Sequence, residues 1–162
     1  MKKLLLVLLV GITVLGLAGC AAKEKNVDGS LVELMAKVYE GAGTPYICMQ
    51  SDVATAPAGP GYYIGYTDKN PDKGVVDVKF TEGLASEPFT GSQPHSVVLL
   101  RLADDQKPKD AVDKLKNSVD GRKWICVGAE NVIVDNIGNL VIIIVDDEYG
   151  DALLKNFKAL AD

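Results

Sequence analysis

Residues 30–162 predict a two-layer α+β domain, a mostly antiparallel sheet with helices on one face, and three observations predict it. Ser96–Leu102 and Leu140–Val145 are apolar runs of strand length. Segments near 31–41, 108–119 and 148–160 carry apolar residues at helical spacing. The turn residues Asp135-Asn136-Ile137-Gly138-Asn139 separate two β-branched runs and so argue a hairpin rather than a parallel crossover.

The elements follow in order. Ser30 with Glu33 forms a capping-box pair, and Leu31, Leu34, Met35 and Val38 share one helical face until Gly41 and Gly43 end the element. Thr44 to Pro60 reads as a loop, because Ile47 to Met49 run into Ala-Thr-Ala-Pro-Ala-Gly-Pro, where proline denies regular hydrogen bonding. Tyr62 to Tyr66 is aromatic and β-branched, and Val76, Val78 and Phe80 alternate with Asp77 and Lys79. Both predict strands, joined as a hairpin through Asp68 to Gly74. Glu82 to Pro94, rich in Gly, Ser and Pro, is expected to cover the sheet as a loop. Ser96 to Leu102 then predicts a strand, and Pro108 to Val119 a helix with Val112, Leu115 and Val119 on one face. Val132 to Val134 pairs with Leu140 to Val145, whose LVIIIV has no polar side to give to water and is placed at the sheet centre. Leu153, Phe157 and Leu160 share a face of the closing helix from Glu148 to Leu160.

The amino-terminal segment places the protein. Lys2 and Lys3 precede an apolar run from Leu4 to Leu17 that ends in small residues, the order of a secretory signal over residues 1–19. Leu4 to Gly19 falls short of the roughly 20 residues a spanning helix needs and is interrupted by Gly11, Thr13 and Gly16. Leu17-Ala18-Gly19-Cys20 resembles the lipobox of bacterial lipoproteins. That resemblance implies cleavage before Cys20 and a diacylglyceryl group on its sulfur, and two acyl chains hold where one anchors only marginally. Residues 20–29 are then a lipidated tether, membrane lipid is a partner through Cys20, and the domain works on the extracytoplasmic side.

The chain carries 17 basic and 22 acidic residues, a net charge of −5, and losing Lys2 and Lys3 makes the mature form more acidic still. Such a balance excludes nucleic acid as a partner and a flat seat on anionic lipid. Cys48 and Cys126 remain, each in apolar company (Tyr46-Ile47-Cys48-Met49 and Trp124-Ile125-Cys126-Val127), where a reduced cysteine behaves as a small hydrophobe. Two buried thiols are expected ahead of a disulfide.

Arg122-Lys123-Trp124-Ile125-Cys126-Val127, Val132-Ile133-Val134-Asp135, Gly138-Asn139-Leu140, Asn156-Phe157, Tyr62-Tyr63-Ile64-Gly65 and His95 to Arg101 resemble a family of small lipoproteins from Gram-positive anaerobes. The likeness spans about residues 31–160, and its most specific piece is Trp-Ile-Cys-Val. It implies a lipoprotein with an α+β domain of unknown function and supplies no catalytic residue. Cys126 matches a family feature and Cys48 does not, which argues against an obligatory bridge between them.

A search for chemistry finds few groups. The single histidine, His95, precedes an apolar strand, so any Ser-His-Asp or Cys-His enzyme must use it, yet no Gly-x-Ser-x-Gly is present. One histidine and no Cys-x-x-Cys leave no ordinary zinc site, and no cofactor motif appears. Asp68-Lys69-Asn70-Pro71-Asp72-Lys73-Gly74 approximates a calcium loop but puts glycine seventh and Lys79 where a bidentate Glu closes the shell, and a solvated turn explains the same letters. Asp104-Asp105 and Asp146-Asp147-Glu148 each follow an apolar strand and lead into a helix, the pattern of capping acids. If their strands ran the same way, both groups would share one end of the sheet. Alternation in a strand would turn Tyr63 away from Tyr62 and Tyr66, which argues against a flat sugar-stacking platform. The preferred reading is a non-enzymatic, lipid-anchored module that meets an envelope protein or ligand. The alternative is an extracytoplasmic enzyme using Asp104, Asp105, Asp146 and Asp147 with His95.

Overall fold

The computed structural model describes residues 26–162. The signal segment, Cys20 and the first part of the tether lie outside the described residues. Asn26 to Gly29 already belong to the domain. Val27 is buried, Asn26 Oδ1 accepts from the Asn139 N–H, and Arg101 donates to the carbonyls of Val27 and Gly29.

The elements are α1 (Leu31–Tyr39), β1 (Cys48–Asp52), α2 (Pro60–Ile64), β2 (Phe80–Pro88), β3 (Ser96–Leu102), α3 (Pro108–Ser118), β4 (Val132–Ile137), β5 (Leu140–Val145) and α4 (Gly150–Lys158). The strands form one antiparallel sheet in the order β1-β2-β3-β5-β4. The α+β class therefore holds.

The helices divide between both faces of the sheet rather than covering one. Leu31, Leu34, Met35 and Val38 of α1 and Leu153 and Phe157 of α4 pack on Val97, Leu99, Leu140, Ile142 and Ile144. Ala111, Val112 and Leu115 of α3, with Tyr63 and Ile64 of α2, pack on Val98, Leu100, Leu102, Val141, Ile143 and Val145. The cause is visible in β3 and β5, whose successive side chains alternate between the faces and are apolar on both, so each face needs its own cover. The strand LVIIIV is interior and wholly buried, but β3 holds the geometric centre.

Two segments depart from expectation for physical reasons. Tyr62 to Tyr66 lies in and after the short helix α2 rather than a strand. Pro60 opens that helix with its φ already set, and Gly59 and Gly65 take φ of 73° and 92° at its ends. Of the expected hairpin with residues 76–80, only the isolated bridge Tyr66↔Val75 forms. Conversely, β1 and β2 arise where loops were expected. Phe80–Pro88 contains Gly, Ser, Glu and Pro but is paired on both sides, by β1 and by β3, and ladder pairing overrides its weak propensity. Gly83 is required there, since a Cβ would sit 2.8 Å from that of Val53.

Candidate functional site

The chemistry collects at the end of the sheet where β3 begins and β5 finishes. Asp146 follows β5, and its Oδ1 accepts the backbone N–H groups of Glu148, at 2.8 Å, and Tyr149, closing the turn into α4. Its Oδ2 lies 2.6 Å from His95 Nδ1. His95 is wholly buried and Asp146 nearly so. With both carboxylate oxygens committed, Nδ1 carries a proton and the imidazole is held in one tautomer and one orientation.

That leaves Nε2 to act. It lies 2.7 Å from the Tyr39 hydroxyl at the end of α1, and the same hydroxyl lies 3.9 Å from Cys48 Sγ at the start of β1. Tyr46 lies against the imidazole with ring centroids 4.8 Å apart, and Tyr149 meets Tyr46 edge-on. Asp146, His95, Tyr39 and Cys48 thus form a continuous row of polar groups between α1, α4 and the sheet.

The row shifts each titration in a consistent direction. Burial alone raises the Cys48 thiol, but hydrogen bonding and charge from His95, with hydrogen bonds from Tyr39 and Ser86, hold it below the ordinary thiol value. Burial alone lowers His95, and the hydrogen bond to Asp146, with the Cys48 thiol close by, raises it above its ordinary value. Burial alone raises Asp146, and His95 together with the Tyr149 and Glu148 N–H groups brings it below the ordinary carboxylate value. Burial pushes the Tyr39 phenol up, so that hydroxyl stays protonated. Lowering the thiol and raising the imidazole both run in the direction of a thiolate beside an imidazolium, the charge state of a cysteine nucleophile.

Of the residues singled out in the sequence, the fold unites His95 with Asp146 and separates the others. β3 and β5 run antiparallel, so Asp104 and Asp105 lie at the opposite end of the sheet from Asp146 and Asp147. Asp105 pairs with Lys79 at 2.6 Å on the surface, and Asp147 accepts the N–H groups of Glu130 and Asn131. The alternative built on all four acids is corrected accordingly. Asp68 to Gly74 folds as two 3-10 turns, with Asp68 bound to Lys73 and Asn70 capping Asp72. Among the described residues, no group of three or more His, Cys, Asp or Glu is placed to hold a metal ion.

Both remaining thiols are free, and neither is a core residue, since Cys48 is half-buried and Cys126 is exposed. In the Trp-Ile-Cys-Val block it is Trp124 that is buried, whereas Ile125 is fully exposed. Lys123 before it is buried on the other sheet face, 2.5 Å from Glu87 and 3.0 Å from Ser96 Oγ, with its ammonium over the rings of Tyr62, Tyr63 and Trp124. Burial lowers the Lys123 amine, and Glu87 opposes that shift. Tyr62 and Tyr63 meet at 87°, so they enclose a cation and form no flat platform.

Cys48 is the candidate site residue that reading the sequence missed. Its apolar neighbours Ile47 and Met49 suggested a core position, but both side chains are exposed, Ile47 just before the edge strand β1 and Met49 within it. The available signal was the rule that any Cys-His chemistry had to run through His95. No protein-family profile, curated protein or solved structure matches the chain.

Proposed function

We propose that this protein is a lipid-anchored extracytoplasmic enzyme that performs acyl transfer or hydrolysis with Cys48 as nucleophile, His95 as its base and acid, and Asp146 as the residue that orients His95. One observation carries the reading: a half-buried thiol stands at the end of a hydrogen-bonded row whose far member is a buried His-Asp pair. The resemblance of Leu17-Ala18-Gly19-Cys20 to a lipobox and the likeness to small lipoproteins support the membrane part of this reading.

The row supports a definite sequence of steps. The Cys48 proton passes to Tyr39 oxygen as the Tyr39 proton passes to His95 Nε2, leaving thiolate and imidazolium. Sγ then bonds to the carbonyl carbon of an ester or amide, and the bond from that carbon to its leaving oxygen or nitrogen breaks. Tyr39 gives its proton to the leaving group and takes one from His95 in return. Water, deprotonated by His95 through the Tyr39 hydroxyl, hydrolyses the thioester and restores the thiol.

The test is acylation by p-nitrophenyl acetate followed by mass spectrometry, together with the pH dependence of alkylation by iodoacetamide. An acetyl group on Cys48 rather than on exposed Cys126, and a Cys48 alkylation midpoint below the roughly 8.5 of a free thiol, are expected. Tyr39→Phe removes the relay without a charge and is expected to move that midpoint upward. An ordinary midpoint with no acyl adduct would refute the reading.

A non-enzymatic envelope module stays as the second reading, favoured by the exposure of Ile47, Met49 and Phe89 beside the edge strand β1. A partner crosslinked through those residues in cells, with Cys48 unreactive to the ester, would select it.

A further inference from the structure

Two other polar assemblies of the domain are internally closed: Lys123 is enclosed by Glu87, Ser96 and three rings, and of the acids after the strands Asp105 pairs with Lys79 and Asp147 accepts the Glu130 and Asn131 N–H groups. The edge strand that carries Cys48 is different. β1 pairs with β2 on one side and is the last strand of the sheet. Among the described residues, the other backbone bonds at its end run to the turn that follows, from the Ala56 N–H to the Asp52 carbonyl, and to β2 again, from the Val53 N–H to the Gly83 carbonyl. Its outer row of donors and acceptors is a template for another extended chain.

The side chains of β1 specify what that chain would present. Cys48 faces the α1 side of the sheet, toward Tyr39 and Ser86. Met49 and Ser51 face the other side, where they line a groove of about 170 Å³ with Tyr63, Glu87, Pro88 and Phe89. Ile47, Met49 and Phe89 are 89%, 51% and 77% exposed. A strand laid on the outer edge continues this alternation. The residue opposite Cys48 sends its side chain to the thiol, and its two neighbours send theirs to the apolar face.

We propose that β1 takes an extended peptide as a sixth strand, and that the residue opposite Cys48 is a glutamine or asparagine whose side-chain carboxamide is the acyl donor. The proposal rests on the Cys48 reading above and names its substrate. Asn and Gln are the only ordinary side chains with an uncharged acyl carbon and a nitrogen leaving group. Apolar neighbours would settle on Ile47 and Met49, and the net charge of −5 favours a neutral or basic peptide over a second acidic copy of this chain. In the reaction Sγ bonds to the carboxamide carbon, the C–N bond breaks, and ammonia leaves with a proton passed from His95 through the Tyr39 hydroxyl. Water then hydrolyses the thioester, so the net change is amide plus water to carboxylic acid plus ammonia.

The probe is acetyl-Thr-Ile-Gln-Val-Thr-amide, compared with a version N-methylated at the backbone nitrogens that would meet β1. The Cys48→Ser protein is expected to bind the first saturably by fluorescence anisotropy and the second about tenfold more weakly, the loss of one to two ladder bonds. Met49→Asp is expected to weaken binding as well, and the native protein should convert Gln to Glu with release of ammonia. Equal binding of both peptides, or none, overturns strand addition, and acetylation of Cys48 by the small ester would still stand. Peptide binding without any acetylation of Cys48 overturns the acyl-donor assignment together with the enzyme reading. A concentration-dependent dimer abolished by Met49→Asp gives the edge to a second copy and overturns the peptide.

Discussion

Asp146 joins folding to chemistry through one side chain. One oxygen orders the turn into α4 and the other orients His95, so its two tasks separate under substitution. Asp146→Ala removes both and leaves a buried imidazole without its partner, a loss expected to cost about 3–5 kcal/mol in urea unfolding. Asp146→Asn keeps an acceptor for the turn and is expected to lose less stability while still raising the Cys48 alkylation midpoint. The same pair sets a pH window. His95 is raised in the folded state, so its contribution is complete below the ordinary histidine value of about 6.5 and fades as pH climbs through the folded value. Asp146 is lowered, so its contribution is complete above the ordinary carboxylate value of about 3.9 and fades as pH falls through the folded value. Stability from this pair is therefore expected to be fullest between about pH 4 and 6.5. Chemical unfolding measured across pH should lose that window in Asp146→Ala. Residue by residue, His95 and Asp146 were legible as candidates. Their union was not, since 51 positions separate them and only the β3–β5 ladder brings them together.

At the scale of elements, legibility followed the source of the stabilisation. α1, β3, α3, the β4–β5 hairpin and α4 declare themselves through their own periodicity, caps and turns. α1 even forms both halves of its capping box, Ser30 Oγ accepting from Glu33 N–H and the Glu33 carboxylate from Ser30 N–H. β1, α2 and β2 are set by neighbours. α2 ends at Gly65, whose φ is 92° and whose missing Cβ would lie 2.2 Å from the Ser118 carbonyl oxygen of α3. Gly65→Ala is expected to cost more than about 2 kcal/mol, seen as a lower urea midpoint with an unchanged slope. Gly41→Ala has open space around it and is expected to cost about 1 kcal/mol, from its positive φ alone. Equal costs at the two sites would remove the close α2–α3 approach as the cause.

At the scale of the molecule, one sheet separates two helical layers and holds a polar assembly on each face of one end. His95, just before β3, and Ser96, its first residue, serve opposite sides, the first with Asp146 and the second with Lys123. If Cys20 tethers this body, intact mass spectrometry of detergent-extracted protein is expected to show residues 20–162 with a diacylglyceryl group. Cys20→Ser should release an unmodified protein from the membrane fraction. A native protein recovered without lipid would refute the anchor.

What the sequence determined by itself was local. Alternation, helical spacing, capping and turn residues identified the α+β class and its strongest elements, because those signals act over a few neighbouring residues. The proposal for Cys20 has the same local origin. Which acids meet a histidine, whether a cysteine is core or edge, and which face each helix covers were decided by the tertiary structure. Strand order and strand direction bring distant segments together, and no short stretch of chain encodes that pairing. The antiparallel run of β3 against β5 sent Asp104 and Asp146 to opposite ends, and the edge position of β1 turned Cys48 from a core hydrophobe into a half-exposed thiol.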